Sequence, residues 1–404
     1  MLPVVPVRVV RLGALCVLVT VTVLTTSYML LNRHHGIDDK LELLAFTDNG
    51  TAYAVHDILT PSWTTEQLVP RFAYVQYATN LEYLCNALIN FTLLRRYGAQ
   101  HDLVLIHPEK WTQGTSRQAK AIRNLKEAHP EIQLRPFGVL STTKGDATWR
   151  DSLTKFHAFA LTDYTRVLAF DSDTLVLNSM DHYFLAPLAA VAVPRAYWLT
   201  TAASPQDKSE GEHEKHGSDS ESGTSITGSP KPTAKPKPKP KPKQAPSIAQ
   251  QVLGSHVMLL EPDTKRYARI VENAVTTGDF DMEVVNHLFA DNAMILPHRR
   301  LALLTGEFRH APDDHAAYLA PDTDEEWNAM AEVSRSYLVH FSDWPLPKPW
   351  KSRTQAQWDA ALPTCDENEP ARDDRPKCAD RVMWTGFYDM YDQMKGEVCG
   401  VLTS

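Results

Sequence analysis

Short apolar strands alternate with helical segments from residue 72 onward, which predicts an α/β fold built on a largely parallel sheet. Two observations carry the expectation. Apolar runs recur at FAYVQYA, DLVLIHP, IQLRPF and RVLAFDSD, and segments of helical periodicity separate them, broken at Gly98 and Pro130. With 404 residues and 43% hydrophobic content, the chain can bury the core of one large domain.

Taken in order, Phe72 opens the first strand. Thr79 then reads as the cap of a helix, with Glu82 three positions on completing a capping box. Leu81, Cys85, Leu88 and Leu93 continue an apolar face as far as Gly98. DLVLIHP is the second strand, residues 115–129 are helical, and IQLRPF is the third strand. A helix is expected around Leu153–Leu161, followed by the strand RVLAFDSD. The strand pattern resumes at Val252–Leu260, and SYLVHFSDWPLPKPW is a further strand that gives way to a loop.

The N-terminus has another character. From Leu12 to Leu31 no charged residue occurs, and about 20 such residues cross a bilayer core as a helix. The run is too long for the apolar part of a cleaved signal peptide, and no A-x-A site follows it. Arg8 and Arg11 precede it, which places the N-terminus in the cytoplasm and the remainder in the lumen. The expected organisation is a cytoplasmic tail at 1–11, a transmembrane signal anchor at 12–31, a stem at 32–66 and a lumenal domain at 67–404.

Two sequons fit a lumenal position, Asn49-Gly50-Thr51 in a polar stretch and Asn90-Phe91-Thr92 inside a helical pattern. Four cysteines fall on the oxidising side, Cys85, Cys365, Cys378 and Cys399, and they allow three full pairings. Cys85, on an apolar helix face, reads as a buried thiol. A bridge among the three C-terminal cysteines is the expectation.

Residues 204–247 interrupt the domain with mixed charge and Ser/Gly, then KPTAKPKPKPKPKQAP. Such a composition does not offset the entropy of ordering and is expected to stay disordered, its Lys-Pro part extended. It is either a polycation for an anionic partner or, the favoured reading, a tolerated surface insertion. The net charge of −8 gives no global basic field, so nucleic acid is not the expected partner. Zinc-type cysteine pairs and internal repeats are absent from the sequence.

Asp171-Ser172-Asp173 ends the apolar run Arg166–Phe170, and ligands of open α/β sheets bind beyond the carboxyl ends of strands. In a regular strand, side chains two apart share a face, so both carboxylates reach one Mg²⁺ or Mn²⁺. Such a cation would bind the phosphates of a nucleotide-sugar and stabilise the departing diphosphate. The same spacing recurs at Asp279/Asp281 and Asp322/Asp324, where a solvated turn is the ordinary meaning; strand-end context singles out the first pair. His340, at another strand end, is a candidate third ligand whose nitrogen favours Mn²⁺. Lys348, in the same loop, is placed to pair with a phosphate.

With these residues in view, the chain resembles glycosyltransferase family 8, the glycogenin-like retaining enzymes with a Rossmann-like GT-A fold. The similarity runs from about Phe72 to Trp350 without the Lys-Pro insert, and LTKFHAFALTDYTRVLAFDSDTLVLNSMDHYF matches the family's lysine-to-metal-motif block throughout. The resemblance implies that Asp171, Asp173 and His340 bind the metal and that Lys155 and Lys348 contact donor sugar or phosphates. YATNLEY is similar to the family's nucleotide-binding start and implicates Tyr77, Thr79, Asn80 and Tyr83. DMEVVN resembles the acidic stretch near the reacting sugar and implicates Asp281 and Glu283 as catalytic residues beside Lys155. One departure stands out. The family's His-to-Lys loop is shorter and carries a glycine, where this chain has Ser342-Asp343-Trp344-Pro345.

Within the family, FAYVQYATNLEYLCNALINF, PRAYW, LLTGEFRH and HFSDWPLPKPW resemble the fungal Golgi N-acetylglucosaminyltransferases, single-span proteins with a lumenal catalytic domain. That resemblance implies a single-pass type II protein of the Golgi membrane, UDP-N-acetylglucosamine as donor, and a glycan, N-linked by expectation, as acceptor. The anomeric configuration would be kept. Two alternatives remain: a glucosyl- or other hexosyltransferase of the glycogenin-like kind, and a catalytically inactive glycan-binding relative. The anchor argues against a cytosolic self-glucosylating enzyme, and the intact Asp171, Asp173, His340 and Lys155 argue against the inactive relative.

Overall fold

The computed structural model describes residues 70–142, 150–199, 252–319, 325–365 and 376–403, with strands Leu44–Phe46 and Ala52–Ala54 besides. The expected anchor at 12–31, most of the stem, the 204–247 insert, Asn49 and the Asp322/Asp324 pair lie outside the described residues. Among the described residues, no helix is long and apolar enough to cross a membrane. The chain divides into Met1–Val69 and Pro70–Ser404. In the first unit, β1 (Leu44–Phe46) and β2 (Ala52–Ala54) pair antiparallel in a stretch where the sequence shows no period.

The second unit is organised by a seven-stranded sheet. Its strands are β3 (Phe72–Tyr77), β4 (Asp102–Pro108), β5 (Ile132–Phe137), β6 (Arg166–Phe170), β8 (Val191–Pro194), β9 (Val257–Leu260) and β10 (Met294–Leu296), in the order β10-β8-β9-β6-β3-β4-β5. β9 alone runs antiparallel to its neighbours, so the sheet is largely parallel, as expected. The inner strands β3, β4, β6, β8 and β9 are apolar on both faces because both faces are covered. Tyr74, Leu103, Leu105, Leu168 and Phe170 face one apolar cluster. Ala73, Val75, Val104, Ile106, Val167 and Ala169 face the other. A smaller sheet, β11 (Leu303–Leu304), β12 (Leu338–His340) and β7 (Thr174–Val176), abuts the end of β6.

Helix α1 spans Leu81–Arg96, but its cap is Asn80, whose side chain accepts from Tyr83 N at 2.8 Å, and not the expected Thr79. The reason is that the sheet runs on past β3: Ala78 N still donates to Ile106 O at 2.9 Å, which delays the helix by one residue. The predicted stop holds. Gly98, at φ 82°, takes the left-handed conformation, with Gly98 N bonded to Arg95 O and Ala99 N to Leu94 O in a Schellman arrangement. Helix α2 covers Arg117–Ala128, capped by Ser116.

The segment expected as a helix near Leu153–Leu161 is a 3₁₀-helix over Ser152–Ala160, buried from Leu153 to Phe159. A nine-residue run buried almost all round, polar residues included, carries no clear 3.6-residue period to distinguish the two helix types. On the same side of the sheet lie α3 (Thr264–Thr277) and α4 (Asp281–Phe289).

After Trp350 the sequence pattern assigns no helix or strand, and there the structure has helix α5, a 20-residue element over Ala379–Val398. It packs on α1, with Tyr391 Oη donating to Asn86 Oδ1 at 2.8 Å. Cys85 and Cys399 form a disulfide across these elements, with Cα atoms 5.4 Å apart. Cys85 is therefore no buried thiol; its distant partner gives no local signal. Cys365 bonds Cys378, a bridge within the expected C-terminal group.

Candidate active site

Asp171-Ser172-Asp173 joins the large sheet to the small one. Asp171 N donates to His256 O at 2.9 Å, prolonging the β6–β9 ladder, while Asp173 O accepts from Phe341 N at 3.0 Å, beginning the β7–β12 ladder. Ser172, 2% exposed, turns inward to donate to Tyr77 O. The two carboxylates thus converge through a turn between sheets, and not through the strand alternation expected from the sequence. His340 is paired with Thr174 in the β7–β12 register, which brings its ring beside Asp173. One donor atom each from Asp171, Asp173 and His340 lies within 4.8 Å of the others.

Two lysines flank the trio. Lys155, 2% exposed, forms ion pairs with Asp171 and, at 2.7 Å, with Asp281. Lys348 donates to Asp173 Oδ2 at 2.7 Å and to Phe341 O. Asp281, the first residue of α4, accepts from Ser152 at 2.7 Å and from Ser255 at 2.5 Å. The 3₁₀ geometry explains this pairing: at three residues per turn, Ser152 and Lys155 are eclipsed on one face and both reach Asp281.

The electrostatics follow from burial. Burial, reinforced by Asp173 and Asp281 and opposed by Lys155, pushes the Asp171 carboxyl up to about 6. Burial acts the same way on Asp173, but His340 and Lys348 outweigh it and hold that carboxyl well below its usual range. Asp281 sits at about 2, since Lys155, Ser255 and Ser152 overcome its burial. Burial, then His340 and Lys155, pushes His256 down to about 3.

These residues fit a divalent cation. The donor set is two carboxylates and an imidazole, a combination suited to Mn²⁺. His340 Nε2 lies 3.0 Å from Asp173 Oδ1, and its Nδ1 is a buried atom without a hydrogen-bond partner among the described residues.

The remaining sequence candidates are placed as follows. Tyr77 is 6% exposed, its ring 6.0 Å from Lys155 Nζ. Tyr83 packs edge-on against Tyr77 and Trp350 at 6.3 and 5.5 Å. Thr79 and Asn80 form the turn between β3 and α1. Glu283 is exposed on α4; it stands two residues from Asp281, and such positions do not face each other on a helix, so the structure does not bring it to the cluster. Asp279 lies apart from it as well, bonded by its N–H to Thr277.

Sequence reasoning missed Ser152, Ser255, His256 and Asp343. Gly254 beside them is required by space, because a Cβ there would meet the His256 ring at 2.9 Å. A separate cavity of about 510 Å³ opens between Asn80, Glu82, Arg117, Trp350, Tyr391 and Lys395; none of the acidic cluster lines it.

No family model matches the chain. It is 35% identical over 336 residues to glucose N-acetyltransferase 1 of Gibberella zeae, covering 81% of this chain and 62% of that protein. To glucose N-acetyltransferase 1 of Aspergillus fumigatus it is 34% identical over 348 residues, covering 81% of this chain and 77% of that protein. Among solved structures, galactosyltransferase LgtC in complex with donor and acceptor sugar analogs matches with a TM-score of 0.46 and 11% identity, over 81% of this chain and 96% of that one. The apo WbbM bifunctional glycosyltransferase matches with a TM-score of 0.45 and 13% identity, over 84% of this chain and 51% of that one. On the extent of the Aspergillus match, the chain belongs to the family of proteins named glucose N-acetyltransferase 1.

Proposed function

We propose that the chain is a metal-dependent glycosyltransferase of the glycogenin-like family 8, with a GT-A fold, that moves N-acetylglucosamine from UDP-N-acetylglucosamine to a glycan with retention of configuration. The observation that carries the reading is the convergence of Asp171, Asp173 and His340 beyond the end of β6, flanked by Lys155 and Lys348. The relatives' shared name joins glucose with an N-acetyl group, and N-acetylglucosamine is glucose with its 2-hydroxyl replaced by an acetamido group. Transfer of an acetyl group alone would not call for two carboxylates and a histidine around a cation.

Asp171, Asp173 and His340 would hold Mn²⁺, or Mg²⁺, which when bound supplies charge stabilisation to a departing diphosphate. Lys348, on Asp173, is positioned to meet phosphate charge. Lys155 is fixed by Asp171 and Asp281, so its ammonium stays charged in a buried place and orients both carboxylates. Tyr77 and Tyr83 offer aromatic edges where a nucleotide would lie. Asp281 stands on the far side of Lys155, held by Ser152 and Ser255.

Two disulfides support an oxidising compartment, and with the apolar segment 12–31 they support a single-pass type II protein of the Golgi membrane. The acceptor under this reading is an N-linked glycan. A panel of UDP-sugars with the purified chain and Mn²⁺, read as released UDP, tests the donor. UDP-N-acetylglucosamine should turn over fastest; a faster rate with UDP-glucose would favour the glucosyltransferase alternative.

A further inference from the structure

Trp344 is 83% exposed, which leaves a large apolar ring system in water. The exposure does not come from a loose loop. Asp343 beside it is 3% exposed, and its carboxylate accepts from Trp384 Nε1 at 3.0 Å and Tyr388 Oη at 2.8 Å, with Arg309 at 3.7 Å. Leu346, two residues on, is buried and donates its N–H to Asp343 O at 2.7 Å. The indole is thus displayed from a loop anchored on both sides.

The position is also informative. Trp344 stands midway between His340 and Lys348, and both of these touch Asp173. Four residues of chain span at most about 15 Å, so the indole lies within oligosaccharide reach of the acidic cluster. On another flank, Trp198, 37% exposed, stands 5.6 Å from the His256 ring, which is 5.9 Å from His340. The lysines and carboxylates account for a charged nucleotide and a cation. A neutral sugar needs something else: the apolar C–H face of a pyranose, which is desolvated best against the flat face of an aromatic ring.

We infer that Trp344 is the stacking platform for a pyranose ring of the acceptor. The inference rests on the glycosyltransferase reading above, and it makes the segment from the end of β12 to Lys348 bifunctional. His340 and Lys348 serve the donor side, and Trp344 serves the acceptor.

The test measures steady-state transfer by the full chain from UDP-N-acetylglucosamine to a fluorescently labelled pool of released N-glycans, with Mn²⁺ present. Trp344→Ala should raise the acceptor KM about tenfold, about 1.4 kcal/mol, with a much smaller change in donor KM. Trp344→Phe should fall between the two. Leu188→Ala, a control at an equally exposed apolar side chain, should match the wild type. An acceptor KM unmoved by Trp344→Ala overturns the inference. An equal rise in both KM values also overturns it, since that marks a merely structural loop residue. A wild type that hydrolyses the donor but transfers to no glycan in the pool counts against the platform and the N-linked acceptor, and leaves the donor reading standing. A wild type that releases no UDP sinks the function proposed above.

Discussion

Single residues here take their properties from partners that are distant in sequence. Asp171 and Asp173 share a motif, yet one carboxyl is pushed up and the other down, because burial outweighs Lys155 at the first while His340 and Lys348 outweigh burial at the second. The motif and His340 were legible, since each ends an apolar strand. Ser152 and Ser255 were not, because nothing local marks a serine as the partner of Asp281. Glu307 was equally hidden. It is 1% exposed and is bonded to His315 at 2.8 Å and to Tyr197 at 2.9 Å, with His310 at 3.5 Å. Burial raises this carboxyl, but its histidine and tyrosine partners outweigh burial and bring it to about 2 from an ordinary 4.5. A depressed folded-state value means stabilisation that is complete above about pH 4.5 and lost as the pH falls toward 2. Glu307→Ala should cost about 3–5 kcal/mol near pH 7. Urea unfolding should then show a flatter pH profile for the variant than for the wild type below pH 5; parallel profiles would refute this assignment.

At the level of elements, strand existence was legible and helix detail was less so. Every predicted strand from Phe72 to Phe170 is present; β3, β4 and β6, buried on both faces, read as continuous apolar runs. The start of α1 was misplaced by one residue because two adjacent capping residues compete and the sheet decides between them. Asn80→Ala should therefore cost about 1 kcal/mol of stability, and Thr79→Ala should cost only a few tenths. The reverse order in chemical denaturation would restore the capping box. The 3₁₀ segment Ser152–Ala160 matters more to the site, because an α-helical turn there would rotate Lys155 away from the line of Ser152.

Across the whole molecule, the C-terminal helix and its disulfide were the largest features the sequence withheld. Cys85 and Cys399 are 314 residues apart, and only the packing of α5 on α1 brings them together. Closing so long a loop restricts the unfolded chain more than the 13-residue Cys365–Cys378 closure does, by about 3 kcal/mol. Replacing Cys85 and Cys399 together by Ala should accordingly lower stability well beyond replacing Cys365 and Cys378. Equal losses would show that loop length does not govern the effect. The chain on either side of the Lys-Pro stretch is bonded directly, Ala196 N to Val252 O at 2.8 Å. Deleting residues 204–247 should thus change stability by under about 0.5 kcal/mol, measured by thermal unfolding.

The central claim is that Asp171 and Asp173 hold a cation on which transfer depends. Its most direct measurement is UDP release against Mn²⁺ concentration for the wild type, Asp171→Asn and Asp173→Asn, with circular dichroism of each. Each change keeps side-chain size and removes one negative charge, and the lost stabilisation should exceed about 2.7 kcal/mol of barrier, or about 100-fold in rate. His340→Ala should shift the Mn²⁺ midpoint upward and recover part of its activity at high metal. Folded Asp171→Asn and Asp173→Asn proteins that release UDP at near wild-type rates, with an unchanged Mn²⁺ dependence, would contradict the account.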